Sequence, residues 1–240
     1  MSELSIHHER IRKHGVNLPV YWLARAILQP SMQLYFLLVR GGRHNIPAEG
    51  AVILAANHRS LLDPFVIALC LGRPVYFVAK RELFERRWQG WILNALGAFP
   101  VRRGESDEEM METARTVLER GEPVLIFPEG KRVRSGPVGN PKRGAGRLAL
   151  ETGAPIVPIA VTGSERARNG WLIRPCRVRI RCGTPLRFPR AADPSPTLAG
   201  AVVDRVWACV ELQWGWLGGT LPARAAPRPR VLASGCGRIG

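Results

Sequence analysis

The chain alternates short apolar runs with amphipathic stretches for most of its length. Ala51 to Ala56 (Ala-Val-Ile-Leu-Ala-Ala) is uninterrupted and apolar, as a buried strand is. Pro74 to Ala79, Phe99 to Val101, Val124 to Phe127 and Ile156 to Val161 read as further strands. Arg177 to Cys182 alternates basic and apolar residues, as an edge strand can. Between them lie segments of helical period: Pro64 to Leu71, Glu82 to Leu96, Asp107 to Arg120 and Gly146 to Thr152. Leu198 to Leu217 adds a last helix carrying Trp207, Trp214 and Trp216. Asp63 fits the cap of the first of these and Pro64 its first turn. Ser106 fits the cap of the third, acids fill its first turn, and Gly121 stops it. Strands alternating with helices predict an α/β fold. It is a single domain, with a mostly parallel or mixed sheet flanked by helices.

The N-terminal pattern differs. Ala26 to Val39 holds 14 uncharged residues but includes Pro30, and extension towards Leu18 brings in Arg25. A spanning helix needs about 20 apolar residues, so a span is not expected. Leu18 to Val39 reads as one broken or two short amphipathic helices. Tyr21, Trp22, Tyr35 and Phe36 suit an interface, and Arg10, Arg12, Lys13, Arg25 and Arg40 suit lipid phosphates. A helix pair packed in a core fits the same pattern. The expected organisation is a membrane-associating helical segment over 1–40, an α/β domain over 41–219 and a disordered basic tail over 220–240.

Charge narrows the partners. Lys+Arg number 35 against 19 Asp+Glu, a net +16. Such a surface seeks nucleic acid, anionic lipid or phosphorylated substrate. Six cations and no acid lie between Gly130 and Leu150, and eight arginines run from Arg166 to Arg190. These runs would also suit phosphodiester backbones. Aromatics are not interleaved with them and no nucleic-acid motif is present, so a binding protein without catalysis is the lesser alternative. The five cysteines form no CxxC pair and their number is odd, which argues against a disulfide framework or zinc site. Met1 to Gly15 is polar and has no signal-peptide character. No metal is expected, because His7, His8, His14 and His44 lack ligand spacing with carboxylates.

The chemistry concentrates at strand ends. Asn57-His58-Arg59-Ser60-Leu61-Leu62-Asp63-Pro64 follows the first apolar run, with a histidine and an aspartate five positions apart. Open α/β sheets place ligands at such strand ends. A histidine oriented by a carboxylate can take a proton from a hydroxyl. No GxSxG elbow is present, so transfer to an incoming alcohol is favoured over covalent catalysis. Gly144-Ala145-Gly146-Arg147-Leu148-Ala149 nominally matches a dinucleotide fingerprint, but it follows a basic loop and not a strand. Three other strand ends carry Gly97 to Arg103, Phe127-Pro128-Glu129-Gly130-Lys131-Arg132, and Val157-Pro158-Ile159.

These four segments, in this order over roughly residues 40 to 190, resemble the four blocks of the glycerolipid acyltransferases. The bacterial 1-acylglycerol-3-phosphate acyltransferase type is the nearest in pattern. The resemblance implies a catalytic base at His58 oriented by Asp63, and acceptor-phosphate binding by Arg103. It also implies acceptor binding or positioning by Glu129, Gly130 and Arg132, with Lys131 beside them, and an acyl-donor site shaped by Pro158. Lys131 stands where the family usually has a small hydroxyl residue, and Arg102 where an acid is common; both add positive charge. The implied reaction moves a fatty acyl group from acyl-CoA or acyl-carrier protein to a lysophospholipid hydroxyl, lysophosphatidate first. Another lysolipid is the alternative acceptor. No cofactor beyond that co-substrate and no nucleic acid is expected. The implied location is peripheral, on the cytoplasmic face of the cell membrane.

Overall fold

The computed structural model describes residues 3–102, 107–169 and 172–221. The strands are β1 (Val39–Gly41), β2 (Val52–Ala56), β3 (Tyr76–Lys80), β4 (Ala98–Val101), β5 (Pro123–Ile126), β6 (Ile156–Thr162), β7 (Arg168–Asn169), β8 (Leu172–Ile173) and β9 (Arg179–Cys182). The helices are α1 (Glu3–His14), α2 (Leu18–Tyr35), α3 (Asp63–Ala68), α4 (Arg87–Ala95), α5 (Glu108–Glu119), α6 (Gly144–Thr152) and α7 (Pro196–Trp216).

Seven strands form one sheet in the order β1-β9-β6-β2-β5-β3-β4. The five from β6 to β4 are parallel neighbours, and β9 runs antiparallel to β6. The expected mixed sheet is therefore present, with one correction. β9 is not an edge strand, because the three-residue β1 pairs with its outer side. A strand that short has too few positions to show a period, so no pattern announces it.

β2 lies at the centre because it can be buried on both faces. Val52, Leu54 and Ala56 join the core that includes Val66, Ile67 and Phe84, while Ile53 and Ala55 join the core that includes Ile11, Met111, Val117 and Leu148. Alternate Cβ atoms point to opposite faces, so an uninterrupted apolar run feeds two cores at once. The chain leaves β2 for β3 and β4, then returns as β5 between β2 and β3, and places β6 on the other side of β2. That reversal beside β2 is the topological switch point at which ligands bind in such sheets.

Residues 1–40 divide into two unlike pieces. Helix α1 is polar in composition yet docks on the domain: Ile11 is fully buried, and His8 Nδ1 lies 2.8 Å from Thr113 Oγ1 of α5. Helix α2 is continuous through Pro30, with Asn17 Oδ1 accepting from Val20 N at its start. It is apolar yet turns Leu18, Trp22, Leu23, Ile27 and Leu34 to the outside. Among the described residues no helix is long and apolar enough to cross a membrane.

Two local expectations change. Ser106 lies outside the described residues, and the cap of α5 is Asp107, whose Oδ1 accepts from Met110 N at 3.1 Å. Glu82 to Leu96 is two pieces, a 3₁₀ turn over Arg81–Phe84 and then α4. The nominal dinucleotide fingerprint opens α6, where a Cβ on Gly146 would collide with the Ala199 carbonyl of α7. Those small residues serve helix packing. Of the expected tail, residues 222–240 lie outside the described residues.

Candidate active site

β2 ends at Ala56, and its next residue ties the strand end down. Asn57 Nδ2 donates to Val161 O at 3.0 Å and Asn57 Oδ1 accepts from Val161 N at 2.8 Å. The amide side chain thus pairs with β6 as a strand residue would. The chain then turns at His58.

Asp63 opens α3, but its carboxylate does not cap that helix. Oδ2 accepts from Arg59 N at 2.6 Å and from Ser60 N at 2.7 Å, and lies 2.9 Å from His58 Nδ1. Oδ1 accepts from Ser164 Oγ at 2.5 Å. Asp63 has no solvent exposure, so all its hydrogen bonds must be internal, and both oxygens have partners. An ionised carboxylate can only accept, so Nδ1 is the donor and carries the ring proton. The other ring nitrogen, Nε2, keeps its lone pair. The His58 ring stacks on Phe127 with centroids 4.1 Å apart and lines an open cleft.

The loop after β5 is laced to this turn. Glu129 is buried. Its Oε2 accepts from His58 N at 2.7 Å and its Oε1 from Gly139 N at 2.6 Å. Burial raises its carboxyl above the ordinary carboxylate range, and these two N–H groups partly oppose that rise. Val133 N donates to His58 O at 2.8 Å. The buried guanidinium of Arg59 donates to Val133 O and Gly136 O, both at 2.7 Å, and lies 4.2 Å from the Trp214 ring. A guanidinium can span carbonyls of one loop while resting on an aromatic face.

The cleft has a volume of about 580 Å³. Apolar side chains of Val78, Val101, Met110, Ile126 and Phe127 form one part of its lining. Arg102, Lys142, Arg143 and Arg147 form another. An amphipathic molecule with an anionic end suits such a lining.

The structure brings together His58, Asp63, Glu129 and Gly130, as the sequence suggests. Arg103 lies outside the described residues. Lys131 is exposed and Arg132 half-buried in the loop after Gly130. Pro158 is buried within β6, paired with Ala55 of β2 and close to Gly183, and is not part of the cleft lining. Sequence reasoning missed Ser164 and the individual roles of Arg59, Lys142 and Arg143. For the last two the signal was present, as part of the six-cation run.

A strand-end histidine, held by a buried carboxylate and facing an amphipathic cleft, is an arrangement of α/β proteins that can take a proton from an incoming hydroxyl. The comparisons narrow that class. The chain belongs to the acyltransferase family: the family model described as "Acyltransferase" matches residues 39–162. It is similar to the 1-acyl-sn-glycerol-3-phosphate acyltransferase of Bacillus subtilis (strain 168), at 32% identity over 157 residues, which cover 62% of this chain and 76% of that one. The Pseudomonas aeruginosa protein of the same name is 33% identical over 146 residues, covering 59% of this chain and 56% of that one. Among solved structures, the 1-acyl-sn-glycerophosphate (LPA) acyltransferase PlsC from Thermotoga maritima superposes with a TM-score of 0.59 at 22% identity, over 93% of this chain and 97% of that one. That last likeness speaks to the fold.

Proposed function

We propose that this acyltransferase moves a fatty acyl group from a thioester, acyl-CoA or acyl-carrier protein, to the free hydroxyl of 1-acylglycerol-3-phosphate, forming phosphatidate. The observation that carries the reading is the His58–Asp63 pair, whose imidazole lines a cleft with one apolar and one cationic part. The relatives' names supply the acceptor. His58 Nε2 takes the proton of the acceptor hydroxyl. Asp63 fixes the tautomer and stabilises the imidazolium, as in a hydrolase triad. The acceptor oxygen then attacks the thioester carbonyl. Cleft cations and backbone N–H groups stabilise the oxyanion. The carbon–sulfur bond breaks, and the departing thiolate takes the proton from the imidazolium. Glu129 acts as a positioning residue, since both its oxygens are committed to backbone N–H groups. Arg103, Gly130, Lys131 and Arg132 belong to the acceptor end in this reading, and Pro158 acts on the donor side through β6. No cofactor is needed, because the thioester is itself activated.

The enzyme works at a membrane surface in this reading, with α2 as its docking face. The outward Leu18, Trp22, Leu23, Ile27 and Leu34 make an apolar surface on a helix that holds no acid. A surface of that kind lies in the interface plane and does not cross it. The acceptor's acyl chain then need not leave the bilayer fully.

The test is thiol release from palmitoyl-CoA by the purified chain across an acceptor panel. Release that depends on lysophosphatidate, with phosphatidate as product, is the expected result. Release without any acceptor would indicate a thioesterase and overturn the reading.

A further inference from the structure

Among the described residues, four cations line the cleft, and they are not equivalent. Arg147 donates to Glu108 at 2.6 and 3.1 Å and to Glu151 at 2.7 Å, so its charge is balanced. The side chains of Lys142 and Arg143 have no carboxylate or hydrogen-bond partner among the described residues. Both are exposed, so neither side chain holds the fold together.

Their placement is nevertheless built. Lys142 N donates to Pro128 O at 2.8 Å, which brings the far end of the 130–143 loop back to the strand end beside His58. Gly130 has φ 64°, and a Cβ there would lie 3.1 Å from Cε and 3.3 Å from Nζ of Lys142. The Lys142 side chain therefore crosses directly over a glycine that lines the cleft together with His58. Arg143 precedes the first residue of α6, whose N-terminus has no side-chain cap. Two unbalanced cations and an uncapped nine-residue helix thus meet on one side of the cleft. Among the described residues, the two nearby acids direct their oxygens to backbone N–H groups and not to these cations. Asp107 accepts from Arg102 N and Met110 N, and Glu129 from His58 N and Gly139 N.

We propose that Lys142 and Arg143 are specificity-determining residues that bind the phosphomonoester of the acceptor, with the N–H groups of α6's first turn. The inference rests on the acyl-transfer reading above. It names the residues that tell a phosphorylated acceptor from a neutral one. Lys142 supplies a point charge beside the reacting hydroxyl, and Arg143 a planar fork that suits phosphate oxygens. The apolar wall at Met110 and Phe127 takes the chain end of the same molecule.

The experiment measures KM and kcat for the full chain and for Lys142→Gln, Lys142→Arg and Arg143→Gln. It varies lysophosphatidate, then palmitoyl-CoA, then 1-acylglycerol lacking the phosphate. One lost charge-assisted hydrogen bond corresponds to about tenfold to hundredfold in affinity. Lys142→Gln should raise the lysophosphatidate KM by that factor, with kcat within a few-fold. It should also narrow the preference over 1-acylglycerol. Lys142→Arg should restore most of the loss, which a packing role would not predict. A rise confined to the palmitoyl-CoA KM would assign the rim to the donor's phosphates and overturn the proposal. Unchanged KM values, or a fall in kcat alone that arginine does not rescue, would also overturn it. Wild-type turnover with lysophosphatidate is measured in the same plate, so failure of the parent reading is distinguishable. Should Lys142→Gln melt early, Arg143→Gln and Lys142→Arg carry the test.

Discussion

The floor and the rim of the same cleft are built on opposite principles. At the floor, His58 and Asp63 are buried, and both Asp63 oxygens are bonded. At the rim, Lys142 and Arg143 are exposed, with side chains unpartnered among the described residues. A base must hold one tautomer in one orientation, and only a closed hydrogen-bond network enforces that. A phosphate site must instead keep its charge available for the ligand. Changes at the floor should therefore fall on kcat, and changes at the rim on KM.

That contrast can be broken in order of expected effect. His58→Ala should lower kcat about 10² to 10⁴-fold in the thiol-release assay, the range of general-base catalysis, in a protein that still folds cooperatively at assay temperature. Asp63→Asn should come close to it in the same assay. It removes the negative charge that stabilises the imidazolium, and it places an amide N–H either against Ser164 Oγ or against the donors that share Oδ2. A rim variant that matched either loss in kcat would erase the distinction. Lys142→Gln should instead show the KM shift described above.

Glu129 links the two regions, and its variant tests the link by stability. Burial raises the folded carboxyl above its ordinary value of 4.5. The folded state then binds the proton more tightly than the unfolded chain, so this group's contribution weakens as pH rises from 4.5 through the raised folded value. Glu129→Gln should remove that slope, seen as a flatter dependence of melting temperature on pH than the wild type's across the acid range. At neutral pH it should cost about 1–3 kcal/mol, because an amide cannot satisfy both N–H donors as the carboxylate does. A variant that kept the wild-type slope would show that Glu129 does not carry it.

The smallest effect lies outside the cleft. Leu23→Glu with Ile27→Glu should weaken flotation with anionic liposomes while leaving the melting temperature unchanged, since both side chains face outward. Deleting residues 1–40 is a poorer probe, because it also removes Ile11 from the core. Unchanged flotation would remove α2 from the docking surface.

What the sequence made legible follows from where information is local. The run from Ala51 to Ala56 marks the central strand because burial on both faces leaves no polar position. The His58–Asp63 spacing marks the dyad because one turn brings the two together. Lys142 and Arg143 were visible only as members of a basic run. Their path to the cleft is set by long-range bonds, from Arg59 to Val133 and Gly136 and from Glu129 to Gly139. The α1–α2 inversion was hidden for a related reason. The polar α1 docks through Ile11 and His8 alone among its buried positions, while the apolar α2 is mostly turned outward. Composition reports how apolar a helix is, and only packing reports which side is covered.

The most direct measurement of the central claim is phosphatidate formation from palmitoyl-CoA and lysophosphatidate, followed by mass spectrometry for wild type beside His58→Ala. The account predicts product from the wild type and at least about a hundredfold less per unit time from a folded His58→Ala protein. A folded variant that forms phosphatidate at the wild-type rate would contradict it.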